Sequence, residues 1–193
     1  MSTREGGSLR ERKRAAAQAR VVDVAIALFA ERGFGDVSVA EICAAAEVSE
    51  RSFFRWFAAK EEVVMEPMRE MADRVEQAIS AAPAGLDDRA TVELGLRALA
   101  DWMLADWERL TTYFRVVQET SAMRAIAPMQ LPESERAMAN QLVRRSGGEP
   151  PADWRTRLLV ARGVAAFRVW LDDMRAGEVS DPHAHLDAIL AAG

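Results

Sequence analysis

The stretch SVAEICAAAEVSERSFFRWF, Ser38 to Phe57, decides how this chain is read. Ser38 and Glu41 stand three apart. At that spacing a serine hydroxyl accepts from the third helical amide while the glutamate returns to the serine's own amide. Val39, Ile42, Cys43 and Ala46 follow at i, i+3, i+4 and i+7, so the spacing predicts a short helix with one buried face. Glu47 and Val48 make a tight turn, and Ser49 caps a further short helix ending near Phe57. In that helix Phe53 and Phe57 lie four apart and point back toward Ile42, Val48 and Phe29 as core. Glu50, Arg51, Phe54 and Arg55 fall on the opposite face, with Trp56 at the border. Two short helices joined by a tight turn are the pattern of a helix-turn-helix.

The same periodicity extends in both directions, and nothing alternates as a strand would. The fold class is therefore all-α, with nine helices expected. The first runs from about Leu9 to Arg32, with Val22, Ala25, Ile26 and Phe29 as its apolar stripe. Gly33 then supplies the left-handed stop, and Phe29 with Phe34 is the pair whose contact accompanies a Schellman ending. The fourth helix begins at Ala59 or Lys60 and continues through Ser80, with Pro67 inside it and expected to bend it. Breaks at AAPAGLDD, APMQLPESE, SGGEPPADW and AGEVSDPHA separate later helices of about 88–104, 106–119, 133–146, 152–175 and 182–191.

Composition narrows the setting. The 193 residues are half hydrophobic, enough to bury a substantial core, and no apolar run approaches the length that spans a bilayer. The opening STREGGSLRERKRAAAQAR has no apolar segment behind its positive charges, so it is not read as a secretory signal. A single cysteine, Cys43, leaves no internal disulfide, and the expected location is cytoplasmic, with no membrane partner. The net charge is −5 but unevenly divided: residues 1–60 carry ten Lys/Arg against eight Asp/Glu, leaving −7 for the remainder.

Two guanidiniums among aromatic edges suit a DNA major groove. Arginine can fork onto guanine O6 and N7, apolar groups can touch thymine methyls, and Glu50 can accept from cytosine N4. Ser49 and the helix amino terminus offer donors to a phosphate. The same face would equally serve a helical protein-interaction module that uses Phe54 and Trp56 as anchors. On these residues alone the two readings stand level.

The segment VVDVAIALFAERGFGDVSVAEICAAAEVSERSFFRWFAAKEEVV, Val21 to Val64, resembles the amino-terminal domain of TetR-type transcriptional regulators. The likeness is carried by Leu28-Phe29, Glu31-Arg32-Gly33-Phe34, Ser38-Val39 with Ile42, Val48-Ser49, Phe53 through Phe57, and Lys60-Glu61-Glu62. It implies a DNA-binding domain over 1–58, preceded by a basic arm of about 1–14, and an effector-binding and dimerisation domain over 59–193. It further implies a DNA-contacting set of Ser38, Ser49, Glu50, Arg51, Ser52, Phe54, Arg55, Trp56 and Lys60. Lys60 would meet a backbone phosphate, and the Arg10 to Arg14 cluster, standing where the resemblance has residues before the first helix, would reach further phosphates or the minor groove. Two positions depart from the family. Glycine is common where Glu47 stands, and a left-handed residue with a Cβ costs roughly 1–2 kcal/mol, so the turn is expected to relax differently. Tyrosine is usual where Phe54 stands, and phenylalanine cannot donate its phosphate contact, which is lost or passes to Arg51 or Arg55.

Residues 61–193 hold no Gly-rich phosphate loop and no HExxH, and neither a metal, a cofactor nor catalytic residues are expected. His183 and His185 diverge at i, i+2, and Asp181-Pro182 reads as a helix start. Methionines (Met65, Met68, Met71, Met103, Met123, Met129, Met138) join Trp102, Trp107, Tyr113, Phe114 and Phe167 as core able to line an adaptable apolar cavity. The resemblance places a small apolar or amphipathic effector between helices four to eight. The candidate lining is Met68, Met71, Trp102, Met103, Tyr113, Phe114, Val117, Met138, Gln141 and Phe167, with Arg115 or Arg145 as further polar candidates. The eighth helix is apolar on more than one side: Val160, Val164, Phe167, Leu171 and Met174 on one, Ala161, Ala165 and Arg168 near another, with Gly163 and Ala166 small enough for close helix contact. By resemblance the second side is covered by helices eight and nine of another copy. A homodimer of that kind reads a near-palindromic operator in double-stranded DNA, and the function implied is that of a ligand-released repressor.

Overall fold

The computed structural model describes residues 9–192, without the side chains of residues 121–123 and 125–130, so Met123 and Met129 lie outside the described residues. Within that range the chain is helical throughout: α1 Leu9–Arg32, α2 Val39–Ala45, α3 Glu50–Trp56, α4 Lys60–Ala81, α5 Asp88–Ala105, α6 Trp107–Glu119, α7 Ser121–Arg145, α8 Trp154–Ala176 and α9 Pro182–Ala192. Two compact units result. One takes in the chain up to Pro67 together with Thr112–Arg124; the other holds Met68–Thr111 and the chain from Ala125 onward. No described helix is long and apolar enough to cross a membrane.

In the first unit α1 buries Val21, Val22, Ala25, Ile26 and Phe29 along one stripe. It stops where Gly33 turns left-handed at φ 88°. The Gly33 amide returns to the Phe29 carbonyl at 2.9 Å, and the Phe29 and Phe34 rings meet at 4.9 Å. Helix α2 opens on the expected capping box: the Glu41 amide donates to Ser38 Oγ at 3.2 Å, and the Ser38 amide donates to Glu41 Oε2 at 2.9 Å. Ile42 and Cys43 face inward, 0% and 3% exposed.

The close of α2 corrects one expectation. Glu47 does not avoid the left-handed region; it sits at φ 54°. The Val48 amide reaches the Cys43 carbonyl at 3.0 Å and the Glu47 amide reaches Ala44 at 3.3 Å. Those two bonds form a Schellman ending, and the strain at Glu47 is held in place by them together with the burial of Ala46 just before it. The equivalent pair at the end of α7, Gly148 to Val143 and Gly147 to Arg144, turns through a glycine at φ 77°.

In the second unit α5 packs on α8 and α9, and α8 on α9. A Cβ at Gly163 would lie 2.8 Å from Val92 and 3.2 Å from Leu96, so only glycine permits α8 to come this close to α5. Trp170, fully buried, donates its indole N–H to the Pro182 carbonyl at 2.8 Å and so fastens α8 to the start of α9. Asp87 and Asp153 cap α5 and α8 through the Ala90 and Thr156 amides. Gly177 ends α8 at φ 78°.

Helix α7 departs from the sequence reading. Pro128 and Pro132 were expected to separate two elements, yet α7 runs unbroken from Ser121 to Arg145. Each proline removes one helical donor while holding φ near its helical value. At i, i+4 the two missing donors share one face, and the remaining hydrogen bonds of a long helix carry it past them.

Candidate nucleic-acid interface

Helix α3 has two unlike faces. Ser49 caps it by accepting from the Ser52 amide at 3.2 Å, and the Phe57 amide closes the far end on the Phe53 carbonyl at 2.9 Å. Phe53 is 0% and Phe57 2% exposed, and their rings meet at 5.5 Å. Glu50, Arg51, Phe54 and Arg55 all face outward. The i, i+3, i+4 arithmetic thus separates the anchor from the free face as the sequence indicated. Among the described residues neither Glu50 nor Arg51 has a hydrogen-bond or ion-pair partner, which leaves the Arg51 fork open.

The border residues are less free. Trp56 is half-buried, carries the Arg55 guanidinium 5.6 Å from its ring centroid, and keeps its indole N–H buried without an acceptor among the described residues. Ser49 gives its hydroxyl hydrogen to Ser52 Oγ at 3.0 Å. The pair uses one of its two hydroxyl hydrogens in this bond and keeps the other to donate. Ser38 donates to Glu41 Oε2 at 2.7 Å, so its hydrogen stays inside the capping box.

Lys60 is the largest surprise of the set. Its Nζ donates to the Phe34 carbonyl at 2.7 Å and the Val37 carbonyl at 3.0 Å. It also lies 4.4 Å from the Phe34 ring centroid. The first residue of α4 thus ties down the loop between α1 and α2, with one of its three N–H donors unspent. Periodicity carries no trace of this tie, because its partners lie more than twenty residues away.

The electrostatics around α2 are those of a tight cap. The Ser38 backbone amide, then the Ser38 hydroxyl, then Arg32 hold the Glu41 carboxyl down at about 2, and Arg32 Nη2 sits 2.7 Å from Glu41 Oε1. Arg10 to Arg14 do not precede α1. They occupy its first turns, all exposed, because the following run of alanines with arginine and lysine is strongly helix-forming.

The proposed effector-lining residues are distributed through the core and its margins. Met103, Tyr113, Met138 and Phe167 are buried, whereas Met68, Met71, Trp102, Phe114, Val117 and Gln141 are half-buried. Gln141 Nε2 is taken up by Ser80 at 2.6 Å, and Arg145 spends its guanidinium on the Ala82 and Pro83 carbonyls after α4. Arg74 covers the Trp102 ring at 5.6 Å, and Phe167 leans on Trp170 at 5.0 Å. Tyr113 is 2% exposed, its hydroxyl has no partner among the described residues, and burial pushes its phenol well above the ordinary range. A small cleft among α5, α8 and α9, lined by Arg89, Glu93, Arg162 and Leu190, includes none of the ten.

Helix α8 supplies what the sequence reading only half located. Trp154, Leu158 and Val169 are 57%, 45% and 51% exposed. With Ala161 and Ala165 they form a stripe on the side of the helix opposite buried Val160, Phe167 and Trp170.

Comparison with known proteins agrees with this geometry. Residues 21–66 match the family model for bacterial regulatory proteins of the tetR family. The HTH-type transcriptional regulator TcmR of Streptomyces glaucescens is 30% identical over 174 residues, 87% of this chain and 77% of TcmR. Among solved structures, a TetR-family transcriptional regulator from Syntrophomonas wolfei superposes with a TM-score of 0.67 at 16% identity, covering 92% of each chain. A complex of SmeT with triclosan does so at 0.62 and 18% identity, covering 92% of this chain and 91% of the other.

Proposed function

Because the chain belongs to the tetR family of bacterial regulatory proteins, and is a DNA-binding transcriptional regulator, we propose that it is a repressor that binds a near-palindromic operator as a homodimer and leaves it when a small apolar or amphipathic ligand binds. The observation that carries the DNA reading to particular residues is the split of α3, fully buried along Phe53 and Phe57 and fully outward along Glu50, Arg51, Phe54 and Arg55. In this reading Arg51 forks onto a guanine edge, Arg55 supports it, and Glu50 accepts from a cytosine. Ser52, through its hydroxyl, and Lys60, through its remaining donor, position the helix on phosphates. Ser38, Ser49 and Trp56 act from behind, as caps and border. The helical Arg10 to Arg14 cluster tracks the backbone as a positively charged rod.

The outward apolar stripe of α8 supports pairing with the same stripe of a second copy, α9 flanking it. Two-fold symmetry then sets two α3 helices against half-sites about one duplex turn, ~34 Å, or a small multiple apart. The effector reading draws on the buried, unpartnered Tyr113 hydroxyl, which a hydrogen-bond acceptor on a ligand would satisfy. Met68, Met71, Trp102, Met103, Phe114, Val117, Met138, Gln141 and Phe167 are the other residues proposed to bind an effector. SmeT, similar in fold, is known in complex with triclosan. Release follows if the ligand favours a spacing of the paired heads that successive grooves no longer match.

A mobility-shift titration against the duplex immediately upstream of the protein's own gene, repeated across a salt series, tests the proposal. Binding should fall steeply as salt rises, because phosphate neutralisation releases counterions. A salt-insensitive complex, or none, would overturn it in favour of a protein partner for Phe54 and Trp56.

A further inference from the structure

We propose that Phe54 reads a C5-methyl group, that of a thymine, once in each operator half-site; the inference rests on the DNA-binding reading above and adds a specificity determinant to it. Phe54 is 54% exposed and is the one apolar member of the outward quartet. It is not a loose ring. The fully buried Phe53 meets it edge-on, with centroids 5.4 Å apart and planes at 81°. Phe53 is itself locked against Phe57 at 5.5 Å. An aromatic side chain with two rotatable bonds, braced from behind by a core residue, presents a fixed apolar surface outward.

A groove floor offers such a surface few partners. Among the four bases only thymine projects an apolar group, its C5-methyl, into the major groove beside the donors and acceptors. Pressing the Phe54 ring on an unpaired donor or acceptor would strip its water without returning a hydrogen bond. Seated over a methyl group, the same ring buries apolar surface on both sides. The neighbours sharpen the choice: Arg51 and Glu50, three and four residues earlier on the same face, engage polar edges and leave the apolar position to Phe54.

The test starts from duplexes enriched out of a randomised library by the full-length wild-type chain. Each thymine of the enriched duplex is then replaced singly by deoxyuridine, which pairs identically and lacks only the methyl group. One symmetry-related pair of positions should lose about fourfold in affinity per methyl removed. In Phe54→Ala that penalty should vanish, while Phe54→Leu should keep part of it. Because Phe54 is exposed, circular dichroism should find both variants folded. If the enriched duplex binds with its steep salt dependence but no thymine is methyl-sensitive, or the penalty is the same in Phe54→Ala, the inference falls and the DNA reading stands. If no duplex is enriched, both fall.

Discussion

Helices α3 and α8 pose the same geometric problem and answer it with different chemistry. Each buries one stripe and turns the opposite one outward: Phe53 inward and Phe54 outward in α3, Phe167 and Trp170 inward and Trp154, Leu158 and Val169 outward in α8. On α3 the outward apolar ring stands among charges; on α8 the outward stripe runs through Ala161 and Ala165 with its arginines, such as Arg155 over Trp154, at the sides. A charged face holding a single apolar ring complements a polyanion with isolated methyl groups. A continuous apolar face complements another of its own kind. The partner of a helix is thus written in how its free face mixes charge with surface, and less in how much apolar area it shows.

The comparison breaks most severely if the buried stripe of α3 is removed. Phe53→Ala should destabilise the first unit by about 3–5 kcal/mol, the range for a large aromatic lost from a packed core, read as a shift in denaturant midpoint. An effect below 1 kcal/mol would mean that α3 is not anchored as described. Next comes the free stripe of α8. Leu158→Glu should raise the dimer dissociation constant roughly a hundredfold in sedimentation, since two-fold symmetry places the charge in the interface twice. An unchanged sedimentation profile would assign the dimer to another face. Arg51→Ala should then weaken binding to the enriched duplex about tenfold while leaving random duplex nearly untouched. Equal loss on both would reduce Arg51 to a phosphate contact.

Smaller effects sharpen the comparison at the helix ends. Helix α8 stops on Gly177, but the turn into α3 passes through Glu47 in the left-handed region. Glu47→Gly should therefore stabilise the first unit by about 1 kcal/mol, less what the freer unfolded chain gives back, as seen by thermal melting. Its 3.9 Å approach to Arg20 is exposed and contributes little against this. The smallest effect is shared by both regions. Glu41, in the cap of α2, is held at about 2, and Asp153, the cap of α8, is lowered chiefly by the Thr156 amide. A depressed carboxyl stabilises the fold above its unfolded pKa near 4 and loses that contribution as pH falls through its folded value. Stability should thus decline from about pH 5 toward 2, and Glu41→Gln should flatten the part belonging to α2.

What could be read from residues alone was local. The Ser38–Glu41 box, the two faces of α3 and the Gly33 stop each depend on spacings of three or four, and each is present. What escaped reading depends on partners distant in sequence. Lys60 pairs with carbonyls at Phe34 and Val37, Trp170 with Pro182, and Arg145 with Ala82 and Pro83. The continuity of α7 through two prolines escaped for a different reason: proline signals a missing donor, and a long helix can tolerate two of them on one face. Membership of the family was legible because its matching residues are the locally determined ones.

The chain's single thiol has a practical consequence. Cys43 lies on α2 beside Ile42, 3% exposed, with its ionisation suppressed by burial. A disulfide reagent reaches it only in molecules whose reading head has come open, so the labelling rate reports the open fraction directly. A bound duplex must slow that reaction by the same factor by which it favours the closed head, and occupancy can be followed on the unmodified protein without a dye on either partner.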